Sequence, residues 1–288
     1  MLEKQQKMSN PVRNKFLNGT NGVKGFYLYG ICPFVKTKKA AEKDIGESIG
    51  GGKVFSVPYG DIEAVVSEVF LEEFWSSEIQ RRAAEDLEWI KDKALKHEKV
   101  IETAMKNSDC PIIPMKFGTI FKNREGLTGS LKKNRWKFKN LLRNLQGKEE
   151  RAIKIYCKSE LLENEIKKKS PTIQSKLEEI KSLPTGRQYF LEEEINEMAE
   201  REAKKSVNNY ILLFLKGFKG LAEELKESKI LGKELTRKND PMVFNGAFLI
   251  KKEKVGGFQK EIQKLRAKYE KIGFIFESSG PWPPYNFV

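Results

Sequence analysis

The sequence is poor in the residues on which most catalytic and metal sites depend. Its 288 residues include one histidine, His97, and three widely separated cysteines, Cys32, Cys110 and Cys157. One histidine leaves no identifiable Ser-His-Asp relay, and the cysteine spacing gives neither a disulfide framework nor a CxxC pair. There is no HExxH motif and no Asp-rich loop. We therefore expect no catalytic residue, metal, cofactor or small-molecule substrate, and three buried, reduced thiols.

Long apolar segments are also absent. No stretch approaches the ~18 uncharged apolar residues that a membrane-spanning helix needs. The first residues, MLEKQQKMSNPVRNKF, lack the apolar core of a signal peptide. We therefore expect a cytoplasmic protein with no membrane partner.

A glycine cluster, Gly50 to Gly52 followed by Lys53, superficially resembles a phosphate-binding loop. Val54 stands where a Ser or Thr would be needed, and the cluster leads into a predicted strand rather than a helix N-terminus. We interpret it as a hairpin loop.

The chain is long enough for two domains, and its patterns predict an α+β protein. We expect a flexible lead over residues 1–22, an α+β domain over 23–148, and a ferredoxin-like domain with an antiparallel sheet over 149–288, ending in an extended tail. The predicted strands are 26–31, 54–57, 62–69, 111–121, 151–158, 244–255 and 273–277. The predicted helices begin near 77 or 78, 125, 160, 187 and 258, and end near 106, 146, 181, 227 and 271.

Much of the net charge of +14 is local. Residues 122–158 carry twelve Lys or Arg against three Glu, a net charge of +9. On the helix over 125–146, Lys132, Trp136, Lys139 and Arg143 lie opposite the leucine stripe. Such a face can anchor an acidic partner or nucleic acid. It can equally be a solvated face with Trp136 tucked against the other domain.

The chain ends in GPWPPYNFV, Gly280 to Val288, directly after a predicted strand. Its three prolines fix φ and resist helix formation and ladder pairing, so we expect a stiff extended segment. Trp282 and Tyr285 can then contact a partner or cover the protein's own core. We favour the second interpretation, a seal on the second domain.

This ending and three other motifs, in the same order, resemble the gas vesicle proteins F and L (the GvpF/GvpL family). FYLYGI resembles the opening strand of that family, and HEKV followed by PIIPMKFGTIF resembles its helix and "LP-x-R-F-G-T-x-F" signature, with Lys116 in place of the usual arginine. GRQYFL resembles its "GRxYL" helix start. The motif residues, for which we expect a mainly structural role, are His97, Pro114, Lys116, Phe117, Gly118, Thr119, Gly186, Arg187, Tyr189, Gly280, Pro281, Trp282, Pro283, Pro284 and Tyr285.

The resemblance implies a non-enzymatic accessory protein of gas vesicle formation, located at the gas vesicle in the cytoplasm. It implies that the protein binds the small hydrophobic shell protein (GvpA) and other accessory proteins, either as an assembly factor or as a minor shell component. Two alternatives stay open from the residues alone. One is a nucleic-acid-binding protein that uses residues 122–158, although no recognition motif supports it. The other is an enzyme centred on His97.

Overall fold

The structure, a computed structural model, describes residues 22–34, 47–74, 81–82, 85–108 and 110–288. Apart from Gly22, the predicted lead lies outside these ranges. The chain forms two compact units, one from residues up to 107 and 115–139, the other from residues 108–114 and 140–288. The predicted mixture of helices and antiparallel sheets is confirmed.

The first sheet is built around a single apolar strand. Tyr27, Leu28, Tyr29 and Ile31 of this strand are buried, and such a continuous apolar run is typical of a strand covered on both faces. The strands of the sheet are β1 (Lys24–Pro33), β2 (Val54–Tyr59), β3 (Ile62–Phe70), β4 (Ile113–Pro114) and β5 (Ile120–Phe121). Their order is β2-β3-β1-β4, and β5 also pairs with β1.

Helices α1 (Leu71–Phe74) and α2 (Leu87–Ser108) lie between β3 and β4 in the chain, and α3 (Arg124–Leu145) follows β5. The predicted start of the second helix, at 77 or 78, lies outside the described residues. His97, Ile101 and Ala104 of α2 are buried as predicted, but Leu87 and Ala94 are exposed. At about 100° per residue, both positions stay within about 40° of Ile101, so their exposure is set by what packs over this end of the helix and not by the helical period.

The predicted strand over 111–121 is wrong in its length. Only β4 and β5 are strands, and a turn with Gly118 at φ 81° separates them. Glycine adopts this left-handed conformation at no steric cost, so the apolar run folds back instead of continuing along the sheet.

The second unit has a four-stranded sheet, all pairs antiparallel, in the order β7-β8-β6-β9. The helices and strands follow the chain as β6 (Lys148–Cys157), α4 (Ser159–Lys169), α5 (Pro171–Ile180), α6 (Thr185–Gly217), β7 (Ala222–Glu227), α7 (Lys233–Thr236), β8 (Met242–Lys251), α8 (Val255–Tyr269) and β9 (Phe274–Trp282).

Two helix predictions in this unit need correction. The helix expected over 160–181 is two helices, because Pro171 cannot continue α4 and instead occupies the first turn of α5. The helix expected to reach 227 ends at Gly217, and residues 222–227 pair with β8 as strand β7. The sequence AEELKE favours a helix, so here pairing with a neighbouring strand overrides local propensity.

The core of the second unit is rich in aromatic rings. Helix α8 buries Phe258, Ile262, Leu265 and Tyr269, one side of a helix at successive turns, against the sheet. Helix α6 serves two clusters: Phe214 joins this core, while Ile195 and Ala199 pack with α5 in a separate cluster. Within the ranges that the structure describes, no helix is long and apolar enough to cross a bilayer.

Candidate functional site

His97 lies at the centre of a buried hydrogen-bond chain in the first unit. Its Nε2 lies 3.1 Å from the Met115 carbonyl oxygen, and its Nδ1 lies 2.9 Å from the Tyr27 hydroxyl. The Gly118 N–H donates to the same hydroxyl oxygen at 3.0 Å. Because a carbonyl only accepts, Nε2 carries the imidazole proton and Tyr27 donates its own proton to Nδ1.

Burial keeps this chain of groups neutral. Desolvation lowers the pKa of His97 to about 4, although the bond to the Met115 carbonyl opposes the shift. Burial also raises the pKa of Tyr27 far above its usual value. Both ring nitrogens of His97 are already hydrogen-bonded, so the arrangement joins α2 to β1 and to the 115–118 turn. The His97 imidazole therefore has a structural role here, and neither of its nitrogens is available to act as a general base.

The rest of this motif shapes the same turn. Pro114 is buried, and the Phe117 ring packs edge-on against His97 with centroids 5.8 Å apart. The Thr119 hydroxyl donates to the Lys116 carbonyl at 2.7 Å and closes the turn. Lys116 itself is exposed. The motif therefore has a buried structural part and one cationic side chain that faces solvent.

The GRQYFL motif begins α6 at the surface. Gly186, Arg187 and Tyr189 are all exposed there. The Arg187 N–H donates to the Pro184 carbonyl at 2.9 Å, and the Gln188 side-chain amide donates to the Leu183 carbonyl at 2.8 Å. The inward stripe of α6 begins later, so the rings that precede it point away from the core.

The predicted basic face of α3 is present on the surface. Trp136 is 69% exposed, and Lys132 and Arg143 are exposed on the same side of the helix. The Lys139 ammonium lies 5.7 Å from the centre of the Trp136 ring. We call these four residues the α3 surface. Most of the Trp136 indole is therefore open to solvent in the structure.

Part of this positive charge is already neutralised. Asp61, in the turn between β2 and β3, accepts hydrogen bonds from Arg135 Nε and Lys139 Nζ, each at 2.8 Å. Hydrogen bonds from these two cations hold the pKa of Asp61 well below its usual range. In the described part of the chain, Lys132 and Arg143 form no ion pair. Within the α3 surface, the cations that remain for a partner are therefore Lys132 and Arg143.

The C-terminal tail docks on the second unit through one of its faces. Strand β9 continues through Pro281 to Trp282, which corrects the expectation that the prolines prevent ladder pairing. The pairing with β6 shifts register between Glu150 and Ala152, and a proline without an N–H is tolerated at such a bulge. Beyond it, Pro283, Pro284 and Phe287 are buried.

A buried carboxylate fixes the last residues. Glu150 is only 4% exposed, and its two oxygens accept the Asn286 backbone N–H at 3.1 Å and the Asn286 side-chain amide at 2.6 Å. Burial raises the pKa of Glu150, and the bonds from Asn286 oppose that rise. Sequence reasoning missed this pair, because the two residues are 136 positions apart and neither belongs to a pattern.

The outer face of the tail carries the two predicted contact residues. Trp282 is 40% exposed and Tyr285 is also exposed. The Trp282 indole N–H donates to Ser279 Oγ at 3.0 Å, which fixes the ring while leaving part of it accessible. Phe287 and the two buried prolines thus pack inward, while Trp282 and Tyr285 are partly exposed. We call Trp282 and Tyr285 the tail surface.

The structure describes little that could hold a metal or act as a nucleophile. Among the described residues there is no group of three or more His, Cys, Asp or Glu that could bind a metal ion. The three cysteines are not in disulfides; Cys32 and Cys157 are buried as expected, whereas Cys110 is only half-buried. Burial raises the pKa of Cys157 to about 11, so its thiol stays protonated at neutral pH.

Comparison with known proteins gives consistent matches over nearly the whole chain. The model of the family described as gas vesicle synthesis protein GvpL/GvpF matches residues 25–288. The chain is 24% identical to gas vesicle protein F1 of Halobacterium salinarum over 263 residues, which cover 91% of this chain and 92% of that protein. It is also 24% identical to gas vesicle protein F of Nostoc sp. over 249 residues, covering 85% and 91%. The crystal structure of GvpF from Anabaena sp. has the same fold, with a TM-score of 0.65 at 22% identity, covering 92% of this chain and 95% of that one.

Proposed function

The chain belongs to the GvpL/GvpF family of gas vesicle proteins, and from this premise we propose that it is an accessory protein of gas vesicle formation. In this proposal it binds the small hydrophobic shell protein (GvpA) and other accessory proteins, in the cytoplasm and at the gas vesicle. It assists assembly by holding a partner rather than by catalysis.

Such a protein is needed because the shell subunit is small and hydrophobic. A small protein with a large hydrophobic surface associates prematurely unless that surface is covered until it joins a growing wall. A holding protein must present apolar contact area on a rigid support, so that little entropy is lost on binding.

The observation that carries the proposal is the exposed Trp136 on the α3 surface. A tryptophan held on a 22-residue helix and flanked by cations supplies a large, rigid apolar contact with polar groups at its rim. Interface residues that dominate binding energy are enriched in tryptophan and arginine in such settings. The tail surface supplies a second contact of the same kind, since its indole is fixed by Ser279.

We also propose the domain division expected from the sequence, 23–148 and 149–288. The turn at Gly147, with φ 69°, separates α3 from β6 and supports this division, which differs from the two compact units in keeping residues 108–114 and all of α3 in the first domain. The β-α-β-β-α-β order of the main elements in the second unit and its strand order, β7-β8-β6-β9, support a ferredoxin-like second domain.

The experiment is a pull-down of purified shell protein and of sister accessory proteins with wild type, Trp136→Ala and Trp282→Ala. We expect wild type to retain at least one of these partners and Trp136→Ala to retain at least about tenfold less. Leu235→Ala is the matched control, because this leucine is also a large exposed apolar residue but lies on α7. If wild type retains no gas vesicle protein, or Leu235→Ala weakens retention as much as Trp136→Ala, the proposal is wrong.

One observation favours a second candidate function, nucleic-acid binding by the same helix. Lys132 and Arg143 are exposed, and no acidic side chain of the described residues pairs with them. Phosphate binding by these cations predicts a gel shift that weakens steeply as salt rises and is reduced by Lys132→Glu/Arg143→Glu. No gel shift at low salt would rule this function out.

A further inference from the structure

Two adjacent aromatic side chains protrude where α5 turns into α6. Tyr189 is 66% exposed and Phe190 is 75% exposed, with ring centroids 6.0 Å apart. Helix α6 directs Leu191 and Ile195 inward against α5, and a rotation of 100° per residue places the two rings off that stripe. Core packing therefore does not account for them. We call Tyr189 and Phe190, with Arg187, Glu192 and Glu193, the aromatic tip.

The rings lie in an acidic region of a basic chain. Residues 178–201 contain seven Glu against three Lys or Arg, a net charge of −4, whereas the whole chain carries +14. Glu194 is paired with Lys176. Glu192 and Glu193 are exposed and form no ion pair within the described ranges. The aromatic tip therefore combines apolar area with unpaired negative charge.

The α3 surface has the complementary composition. Its Trp136 is exposed between Lys132 and Arg143, within a segment of net charge +9. The aromatic rings of one surface can form cation-π contacts with the Lys and Arg side chains of the other. The carboxylates can form charge-assisted hydrogen bonds with the same cations. The two surfaces match in both charge and apolar character, since Lys132, Arg143, Glu192 and Glu193 have no ion-pair partner among the described residues.

We infer that copies of this chain associate head to tail, with the aromatic tip of one copy seated on the α3 surface of the next. In this contact Tyr189 and Phe190 lie against Trp136, and Glu192 and Glu193 face Lys132 and Arg143. Because two different surfaces meet, a pair of copies leaves one aromatic tip and one α3 surface free, so the contact closes a ring or adds further copies. The tip is small and its charges are exposed, so the association is weak and sensitive to salt.

The inference does not depend on the gas vesicle role, because it concerns the purified chain alone. It uses the α3 surface that we propose for partner binding, so self-association and partner binding compete. A variant of the aromatic tip that stays monomeric binds partners of the α3 surface at least as well as wild type. A failed pull-down with shell protein would leave the inference unaffected.

Sedimentation velocity over a range of protein concentrations, at low and high salt, tests the inference on the full chain. We expect wild type to show a rising sedimentation coefficient at low salt. Glu192→Lys/Glu193→Lys and Lys132→Glu/Arg143→Glu each place like charges across the contact, which weakens association at least about tenfold. Far-ultraviolet circular dichroism checks that both variants keep the fold.

Mixing the two variants gives the sharpest result. The basic tip of one variant then faces the acidic α3 surface of the other, so the mixture associates although neither variant does so alone. Glu234→Lys/Glu253→Lys is the matched control: it makes the same charge change at exposed glutamates elsewhere in the second unit and associates like wild type. A monomeric wild type at low salt, reversal variants that associate like wild type, or a mixture that stays monomeric would each overturn the inference.

Discussion

Replacing Asn286 by alanine tests how the buried Glu150 carboxylate holds the C-terminal tail. The substitution removes the side-chain amide that donates to Glu150 at 2.6 Å, while the backbone N–H at 3.1 Å is retained. A hydrogen bond to a charged group contributes roughly 1.5–3 kcal/mol, and a buried acceptor that loses its donor is costly. We therefore expect Asn286→Ala to lower the free energy of unfolding by about 2 kcal/mol at pH 7.

The free energy of unfolding lost in Asn286→Ala depends on pH, and the shift in the pKa of Glu150 determines the direction of that dependence. Burial raises this pKa in the folded state above the ordinary carboxyl value, so the folded protein binds a proton more tightly than the unfolded chain. Stability attributable to this group therefore falls as pH rises through the folded pKa, and is recovered on acidification. Without the Asn286 amide the pKa rises further, so the destabilisation is largest at neutral pH and shrinks as pH falls.

The assay is urea unfolding followed by circular dichroism at several pH values, for wild type and variant. Asn245→Ala is the control: its amide donates to the neutral Lys229 carbonyl at 3.0 Å, so its loss should be smaller and independent of pH. The reasoning about Glu150 would be refuted if Asn286→Ala cost the same at pH 5 as at pH 7, or no more than the control.

Two further predictions concern the first unit and the tail. Tyr27→Phe leaves the Gly118 N–H and the His97 Nδ1 without their buried partner, so we expect a loss of about 2–3 kcal/mol in denaturant unfolding; an unchanged midpoint would contradict the hydrogen-bond chain. In the tail, Phe287→Ala should cost roughly 3 kcal/mol and Trp282→Ala less than half of that, because only Phe287 is buried. Thermal unfolding of both variants checks this order, and equal losses would show that Trp282 is part of the seal after all.

The sequence was sufficient for prediction where the local residue pattern and the tertiary environment favour the same structure. The family was predicted from four ordered motifs and is confirmed. The basic helix was placed within one residue at each end, because its leucine stripe and its polar face both follow the helical period. His97 was placed on a buried stripe for the same reason, and the structure buries it.

The sequence was not sufficient for prediction where contacts with distant segments decide the local structure. Residues 222–227 have the composition of a helix and become an edge strand because β8 offers a pairing partner. The motif over 186–189 resembles a helix start of the family, and whether its tyrosine is buried depends on α6, whose inward stripe begins only at Leu191. The exposure of Lys132, Trp136 and Arg143 follows from the helical period, but the pairing of Lys139 with Asp61 does not, since Asp61 lies in a turn far away along the chain.

The sequence by itself determined the family, the α+β class and the location of the excess positive charge, because these depend on residue order and composition. Tertiary structure decided which aromatic residues face solvent and which close the core. In the tail, alternate sides of one short segment divide these roles: Phe287 packs inward, Asn286 bonds to Glu150, and Trp282 is left partly exposed. Which side of the tail faces the core depends on the register of β9 against β6 and on the buried Glu150 carboxylate of β6. Neither can be read from the sequence of the tail itself.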